Sequence, residues 1–259
     1  MGPVTHSLRN IWSSIMHRFY CPQSDLENPQ VVITDSKELH HLRNVLRLKK
    51  GDEVTVFNDQ GHEATGRIEN IQPNKVIVTV ESVRREKPEL PIVILACAIP
   101  KKSKFEVIIE KATELGVDVI VPLKTKRTEM ELKGDRLQRK VARYQDVAIN
   151  AAKQSRRSRV PVIEPVTDLA ATLKSFSQET TVFIPSLSGE RKNIFEAFKA
   201  VPPPSRVAFL IGPEGDFTPQ EYELARAHGA IGVSLGKTVL KVETAALTAV
   251  ACAQLWFRR

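Results

Sequence analysis

The chain has 259 residues, of which 42% are hydrophobic and 26% are charged, and its formal net charge is +8 at pH 7. This composition excludes an intrinsically disordered chain, and no stretch approaches the roughly 18 consecutive apolar residues that a membrane span needs. The three cysteines, Cys21, Cys97 and Cys252, lack the spacing of a zinc site or a disulfide framework. We therefore expect a cytoplasmic protein of one or two domains, with reduced thiols, no metal and no membrane segment.

The first fifteen residues are predicted to be an N-terminal extension. Residues 1–15 contain no acidic residue and precede Met16. They lack the apolar core and the small-residue cleavage site of a secretory signal. The simplest hypothesis is an N-terminal extension ahead of a natural start at Met16, and a short organellar transit segment is the alternative.

Alternating hydrophobic and polar residues dominate the range Arg18–Val83, and this period of two predicts β-strands. The predicted strands include Val54–Phe57, Glu63–Ile71 and Lys75–Val83. One helix, Lys37–Leu48, interrupts them, with Asp35 as its N-cap. We predict a small β-rich barrel or sandwich over residues 16–86, followed by a charged, proline-punctuated linker that ends at Pro91.

Beyond the linker the pattern changes to alternating strands and helices. Ile92–Ile99 is a nearly continuous apolar run, as expected of a strand that is buried on both faces. Ser103 is placed as the cap of the next helix, which Gly116 ends. Further predicted strands are Val117–Leu123, Thr181–Pro185, Arg206–Ile211 and Ile231–Leu235. Further predicted helices are Asp135–Ser155, Pro219–His228 and Thr244–Phe257. This alternation predicts an α/β domain, residues 91–259, with a parallel sheet covered on both faces.

Two loops near the C-terminus each follow a predicted strand and precede a predicted helix. The first, Ile211–Phe217, contains two glycines and a proline, and the second, Ser234–Ala246, leads into a helix start made of small residues. Ligands of parallel sheets bind at the carboxyl ends of the strands, where such loops gather. Neither loop is a GxGxxG fingerprint or a P-loop, so the pattern alone leaves ordinary strand–helix turns as the alternative to a ligand site.

The positive charge is concentrated in one segment. Lys124–Arg159 contains 12 Lys and Arg against 4 Asp and Glu, which accounts for the whole excess of +8. On the predicted helix Asp135–Ser155, four cations fall on one face, at Arg136, Arg139, Lys140 and Arg143. Such clustering is unfavourable in isolation and attracts polyanions such as RNA, although a solvated helix face that keeps the protein soluble is the alternative.

The two C-terminal loops also carry a family resemblance. Ile211-Gly212-Pro213-Glu214-Gly215, followed by Ser234-Leu235-Gly236 and Leu240–Ala246, resembles the 16S rRNA uridine-N3 methyltransferases of the SPOUT superfamily. The matching motifs elsewhere are His17–Tyr20, His40–Arg47, Lys111–Val117, the Arg127 region and Gln154–Arg157. The sequence departs from the family pattern at Asp216 and Arg156, where glycine is common, at Lys241-Val242, which replaces Arg-Thr, and at Asn150 and Lys153, where acidic residues are common.

The resemblance implies a PUA-like N-terminal β-barrel, a C-terminal domain with a deep trefoil knot, a homodimer, and S-adenosylmethionine as the cofactor. It assigns thirteen residues to cofactor binding: Leu210, Ile211, Gly212, Pro213, Glu214, Gly215, Ser234, Leu235, Gly236, Leu240, Glu243, Thr244 and Ala245. Glu243 is also a possible base, with loop bracing at least as good an interpretation. The substrate partner is 16S rRNA or the small ribosomal subunit.

The RNA side of the site is a hypothesis built on cations and on the chemistry of the target. Uridine N3 is a weakly acidic imide nitrogen that must lose its proton. A base that accepts this proton, or hydrogen-bond donors to the uracil oxygens, would therefore assist methyl transfer. We predict Arg127, Gln154 and Arg157 as the catalytic residues. The predicted RNA-binding residues are Arg18, Arg43, Arg47, Arg139, Lys140, Arg143, Arg156 and Arg159. The alternatives are methylation of another base or of a ribose 2′-OH, and a non-catalytic RNA-binding protein of ribosome assembly.

Overall fold

A computed structural model describes residues 17–101, 104–128, 134–187 and 189–258. The predicted extension 1–15 and the predicted cap Ser103 lie outside these ranges. The chain divides into two compact units between Lys87 and Pro88, inside the segment proposed as a linker. Each unit has its own sheet and its own hydrophobic core.

The N-terminal unit is built on a five-stranded mixed sheet in the order β1-β3-β4-β5-β2. Its strands are β1 (His17–Tyr20), β2 (Gln30–Ile33), β3 (Glu53–Phe57), β4 (His62–Gln72) and β5 (Lys75–Arg85). β1 runs parallel to β3, whereas β3, β4, β5 and β2 pair antiparallel. The alternating residues predicted to face a core are buried, for example Val54, Val56, Val76 and Val78. The predicted β-rich N-terminal fold is confirmed.

The helix of this unit begins where its cap predicts. The Asp35 carboxylate accepts hydrogen bonds from the backbone N–H groups of Lys37 and Glu38, which opens α1 (Ser36–His40). A π-helical turn, His41–Val45, continues it, so regular helix ends three residues before the predicted Leu48.

The C-terminal unit is an α/β fold. Its strands are β6 (Ile92–Ala98), β7 (Val119–Lys124), β8 (Val162–Ile163), β9 (Thr167–Asp168), β10 (Thr180–Pro185), β11 (Lys192–Asn193), β12 (Arg206–Ile211) and β13 (Ile231–Ser234). Its helices are α2 (Lys104–Glu114), α3 (Asp135–Gln154), α4 (Leu169–Ser175), α5 (Ile194–Lys199), α6 (Pro219–Ala227) and α7 (Val242–Phe257). The main sheet order is β11-β13-β10-β12-β6-β7-β8, and its neighbouring strands are parallel. The predicted parallel sheet is confirmed, and the knot stays a prediction.

Helices cover both faces of this sheet, because successive side chains of a strand point to opposite sides. Ile94 and Leu210 belong to one core cluster with residues of α4 and α6. Phe183 and Phe209 have the other alternation and pack their rings against Phe198 of α5. α7 lies against β6 and β12, and α3 packs on α2. Among the described helices, none is both long and apolar enough to cross a membrane.

Candidate active site

A cavity of about 510 Å³ lies at the carboxyl ends of β13, β10 and β12, which are neighbours in the sheet. It therefore stands where parallel sheets bind ligands. Both predicted glycine loops line it, together with the start of α2. The lining residues are Lys104, Pro185, Ser186, Leu187, Arg191, Ile211, Gly212, Pro213, Glu214, Asp216, Ser234, Leu235, Gly236, Lys237, Thr238, Val239, Leu240, Lys241, Val242 and Ala245.

Most of the residues assigned to the cofactor meet in this cavity. Nine line it: Ile211, Gly212, Pro213, Glu214, Ser234, Leu235, Gly236, Leu240 and Ala245. The other four do not. Leu210 is fully buried in the sheet core, Gly215 packs against Arg127, and Thr244 is exposed. Glu243 is not a lining residue, but it lies next to Lys104, which is one.

A third loop and a lysine were missed from the sequence. The segment after β10 contributes Pro185, Ser186, Leu187 and Arg191, and α2 contributes Lys104. The strand β10 itself was predicted, and its carboxyl end was a possible signal. However, the sequence pattern does not show that β10 lies between β12 and β13, and only this strand order brings its loop to the site.

The first loop is held by a strained aspartate. Asp216 has a φ of +65°, a left-handed conformation that favours glycine. Its Oδ1 atom accepts hydrogen bonds from the Phe217 N–H at 2.8 Å and the Tyr222 hydroxyl at 2.7 Å. Burial, together with this bond, raises the pKa of the Tyr222 phenol well above its ordinary value, so the hydroxyl stays a donor. The loop is thus fixed by the same residue that departs from the family pattern.

The second loop leaves room at its glycine. Gly236 has a φ of +143°, and a Cβ built there would meet nothing within 4 Å. The Ser234 hydroxyl donates to the Gly236 carbonyl at 3.0 Å and closes the turn. The backbone therefore borders free space of the cavity at this point, where a ligand can approach it closely.

A lysine between two glutamates joins the two loops. Lys104 Nζ lies 3.8 Å from Glu214 Oε1 and 3.9 Å from Glu243 Oε1. The same Glu214 oxygen accepts a hydrogen bond from the Lys101 N–H at 3.1 Å. Glu243 Oε2 is buried and has no hydrogen-bond partner among the described residues. Beneath them, burial raises the pKa of the Cys97 thiol far above its ordinary value, and both carboxylates add to this effect.

Of the three predicted catalytic residues, only Arg127 lies beside the cavity. Its guanidinium donates to the Gly215 carbonyl, and its Cδ packs 3.3 Å from where a Cβ of Gly215 would stand. The residue is otherwise exposed. Arg127 thus combines support of the first loop with a cation at its outer surface.

Arg157 and Gln154 lie at the opposite side of the sheet, where the amino ends of the strands are; we call this side the amino edge and the cavity side the carboxyl edge. The Arg157 guanidinium donates to the carbonyls of Thr113 and Val117, each at 2.8 Å, and lies 3.7 Å from Asp118 Oδ1. These partners precede β7, so they stand at its amino end. Strand β7 separates the two positions by a length of about 20 Å, because Arg127 follows its carboxyl end and the partners of Arg157 lie at its amino end. One chain therefore does not bring the three predicted catalytic residues together, because Arg157 braces the connection between α2 and β7.

Two predicted RNA contacts in the N-terminal unit are already bonded within the protein. Arg18 Nη1 pairs with Glu63 Oε2 at 2.7 Å, and only 9% of its side chain is exposed. Arg43 donates to the carbonyls of Gln72 and Pro73 and braces the turn between β4 and β5. The Arg18 guanidinium is thus engaged within the unit, and its RNA contact stays a prediction. Arg47 is exposed at a φ of +55°.

The cationic face predicted on α3 is present at the surface. Arg136, Arg139 and Arg143 are exposed, and Arg143 also pairs with Glu106 at 3.2 Å. Lys140 is half-buried, with its ammonium 5.9 Å from the Tyr144 ring. Of the residues that continue the patch past the helix, Arg156 is exposed at a φ of +60°, and Arg159 is half-buried.

The fold and the cavity define an α/β domain that binds its ligand with loops at the carboxyl edge of a parallel sheet. Comparison with known proteins makes this class specific. The family description "RNA methyltransferase domain" matches residues 86–254, and "RNA methyltransferase PUA domain" matches residues 33–81. The chain belongs to this family of RNA methyltransferases, and the resemblance seen in the sequence is confirmed.

Individual relatives agree over nearly the whole chain. The Ribosomal RNA small subunit methyltransferase E of Bacillus subtilis is 31% identical over 229 residues, which are 86% of this chain and 89% of the relative. The solved structure of the enzyme of this name from Neisseria gonorrhoeae, bound to S-adenosyl methionine, has a TM-score of 0.83 at 29% identity, with 93% and 98% of the two chains covered. A methyltransferase from Legionella pneumophila, in complex with the cofactor SAM, has a TM-score of 0.82 at 30% identity, with 93% and 97% covered.

Proposed function

We propose that the protein transfers a methyl group from S-adenosylmethionine to N3 of a uridine in small-subunit ribosomal RNA. The observation that carries this proposal is the cavity at the carboxyl ends of three adjacent strands, lined by nine of the residues that the resemblance assigns to the cofactor. Relatives that share the fold hold S-adenosylmethionine or bear the name of a small-subunit rRNA methyltransferase.

The residues of the cavity suit this cofactor. A volume of about 510 Å³ falls in the range of small-molecule and cofactor sites. Leu187, Leu235 and Val239 offer apolar surface for an adenine ring, and cations and carboxylates both line the wall for a zwitterionic amino-acid end. Gly236 allows backbone contact. When bound, S-adenosylmethionine supplies the methyl group, as the new N3–C bond forms, the S–C bond breaks and its electron pair stays on sulfur.

The RNA partner is supported by charge. The exposed face of α3 carries Arg136, Arg139 and Arg143, and Arg156 extends it beyond the helix. Arginine binds phosphate through two parallel hydrogen bonds, and its guanidinium plane stacks on bases. N3 lies on the pairing edge of uracil, so the target nucleotide must be unpaired or flipped out. An rRNA substrate also implies the cytoplasmic location that the cysteines led us to expect.

A homodimer is part of the proposal. Arg127 and Arg157 lie at opposite ends of β7, so a single chain cannot present both to one base. A second copy that sets its Arg157 edge against the cavity of the first would unite them. Two-fold pairing of identical chains is the commonest form of assembly, and it would create two equivalent sites.

Calorimetry and nucleoside analysis test this function together. We expect the purified protein to bind S-adenosylhomocysteine and to restore 3-methyluridine to small-subunit RNA from a strain that lacks the enzyme. A methyl group on another base or on a ribose 2′-OH would replace the N3 assignment while leaving the class intact. Absence of cofactor binding would favour a non-catalytic RNA-binding protein and would overturn the catalytic function.

A further inference from the structure

Among the described residues, four carboxylates stand at or beside the two cavity loops, and three of them accept hydrogen bonds. Glu214 accepts a hydrogen bond from the Lys101 N–H, and Asp216 accepts two from Phe217 and Tyr222. Glu221 closes the capping box of α6 and also accepts from the Lys126 N–H. The fourth, Glu243, accepts no hydrogen bond from any residue in the described part of the chain.

An unengaged carboxylate at such a position needs a reason. One oxygen of Glu243 is buried without a donor in the described part of the chain, and an unsatisfied buried acceptor destabilises the fold. Its other oxygen faces the Lys104 ammonium at 3.9 Å, which is too long for a hydrogen bond. About a quarter of the side chain remains exposed, at 25%. The side chain is therefore partly accessible, and no donor in the described part of the chain competes with a ligand for its carboxylate.

The position of Lys104 relates this carboxylate to the cavity. Lys104 lines the cavity, and its ammonium lies between Glu243 and Glu214 without a hydrogen bond to either. Val242 and Ala245, the neighbours of Glu243 on α7, line the same cavity. An ammonium donor and a carboxylate acceptor thus stand side by side, 3.9 Å apart, at the wall of the proposed methyl-transfer site.

We propose that Lys104 and Glu243 together bind the imide edge of the target uridine, with Glu243 as the acceptor of the N3 proton. This inference rests on the proposed function. The edge of uracil presents an N–H next to a carbonyl oxygen, which matches an acceptor next to a donor. The N3–H bond breaks, an O–H bond forms on Glu243, and the electron pair stays on the base, where it spreads onto the carbonyl oxygens. Lys104 stabilises that negative charge, and the proton leaves Glu243 to water.

The same pair accounts for selection of uridine over cytidine. Cytidine N3 carries a lone pair in place of the N–H, and of the two carbonyls that flank N3 in uridine, the one at C4 is replaced by an amino group. Glu243 would then face a lone pair, and Lys104, placed by the proposal at the C4 side, would face a donor. Two mismatched polar contacts in a site of this kind reject the wrong base strongly.

The test compares isosteric variants with matched controls on α2. Glu243→Gln removes the proton acceptor at constant size and is expected to lower kcat about 100-fold or more. Lys104→Met keeps the stem and removes the charge, for an expected loss of about 10- to 100-fold. Affinity for S-adenosylhomocysteine, measured by calorimetry, should stay within about threefold. Glu110→Gln and Lys111→Met change an exposed pair of the same helix and should retain wild-type rates.

The pH dependence of the rate distinguishes a proton-accepting role of Glu243 from a purely structural one. The defect of Glu243→Gln should shrink as the pH rises and the uridine imide ionises without help, and 5-fluorouridine, a more acidic imide, should reduce it in the same way at the mapped position. Glu243→Asp keeps a carboxylate and should recover part of the rate. With S-adenosylhomocysteine bound, Glu243→Gln and Lys104→Met should each discriminate less than wild type between RNA with uridine and RNA with cytidine at that position.

Three outcomes overturn the pair. One is a Glu243→Gln defect that is equal at every pH. Another is a loss of S-adenosylhomocysteine affinity as large as the loss of rate, which would make Glu243 a cofactor ligand. The third is wild-type activity in Glu243→Gln. Wild-type protein that transfers no methyl group would instead overturn the proposed function, and the pair with it.

Discussion

The two edges of the C-terminal sheet contain similar residues and use them differently. At the amino edge, Asp118 accepts a hydrogen bond from the Val93 N–H at 2.8 Å and pairs with Arg258 and Arg157. Arg258 is 6% exposed at its side chain. At the carboxyl edge, Lys104 and Glu243 stand 3.9 Å apart beside a cavity, and Glu243 accepts no hydrogen bond from a described residue.

The difference shows that residue type and charge do not by themselves identify a functional site. The arginines and carboxylate of the amino edge bond to backbone groups and to one another, so they hold loops together. At the carboxyl edge, the side chains of Lys104 and Glu243 make no hydrogen bond to a described residue, and a ligand can supply one. Satisfied polar groups therefore indicate a structural role here, and unsatisfied polar groups beside a cavity indicate a binding role.

The largest expected effect is at the amino edge. Asp118→Ala removes the acceptor shared by Val93, Arg258 and Arg157, and deprives two largely buried cations of their nearest carboxylate. We expect the free energy of unfolding of the C-terminal unit to fall by about 3 kcal/mol, measured in urea. Affinity of the folded protein for S-adenosylhomocysteine should not change. Glu164→Ala, an exposed carboxylate after β8, should cost less than about 0.5 kcal/mol. A stable Asp118→Ala protein with weak cofactor binding would instead give the amino edge a binding role, which would contradict the structural role assigned to it.

The second prediction tests whether one active site combines Arg127 of one chain with Arg157 of a second chain. Arg127→Ala is expected to slow methyl transfer about 100-fold with cofactor binding retained. Arg157→Gln should also slow it if the amino edge of a partner reaches the target base. After subunit exchange, an equal mixture should recover roughly a quarter of the wild-type rate, because half of the dimers then hold one intact site. A mixture no faster than its components would contradict sharing, and full activity of Arg157→Gln alone would leave this residue purely a brace.

The third prediction compares two glycines at positive φ. Gly236→Ala places a side chain in free space of the cavity and adds backbone strain of about 1–2 kcal/mol. We expect about tenfold weaker binding of S-adenosylhomocysteine, because the loop shifts to relieve the strain. Gly229, after α6, also has a positive φ and no atom within 4 Å of an added Cβ, but it does not line the cavity. Gly229→Ala should therefore lose similar stability without loss of affinity, and equal affinities for both variants would argue against the second loop as a cofactor contact.

The smallest expected effect is at Arg156, where the chain departs from the family glycine. Its φ of +60° disfavours a side chain, so Arg156→Gly should raise the free energy of unfolding by less than about 1 kcal/mol. Removal of one phosphate contact should also reduce the slope of log affinity for RNA against log salt by about 1. An unchanged salt slope would place Arg156 outside the RNA interface.

Local signals in the sequence were sufficient for single elements. Thr218, Pro219 and Glu221 predict a capped helix, and α6 begins at Pro219 and ends one residue before the predicted His228. Both cofactor loops were also found locally, since glycines between an apolar strand and a helix need no knowledge of distant residues. The contributions of Lys104 and of the loop after β10 depend on which strands are neighbours, and no local pattern carries that information.

The sequence by itself determined the α/β class, the two glycine loops, the cationic face of α3 and the family resemblance, because each depends on short-range periodicity, capping or motif order. Only the tertiary structure decided which charges are available. The sequence does not distinguish Arg157 from Arg127, since both are arginines of the same basic segment. In the structure, Arg157 donates to the carbonyls of Thr113 and Val117, whereas Arg127 lies at the first cavity loop. The reason is physical: hydrogen bonds to residues distant in the chain determine whether a polar group is already satisfied, and such partners are known only once the chain has folded.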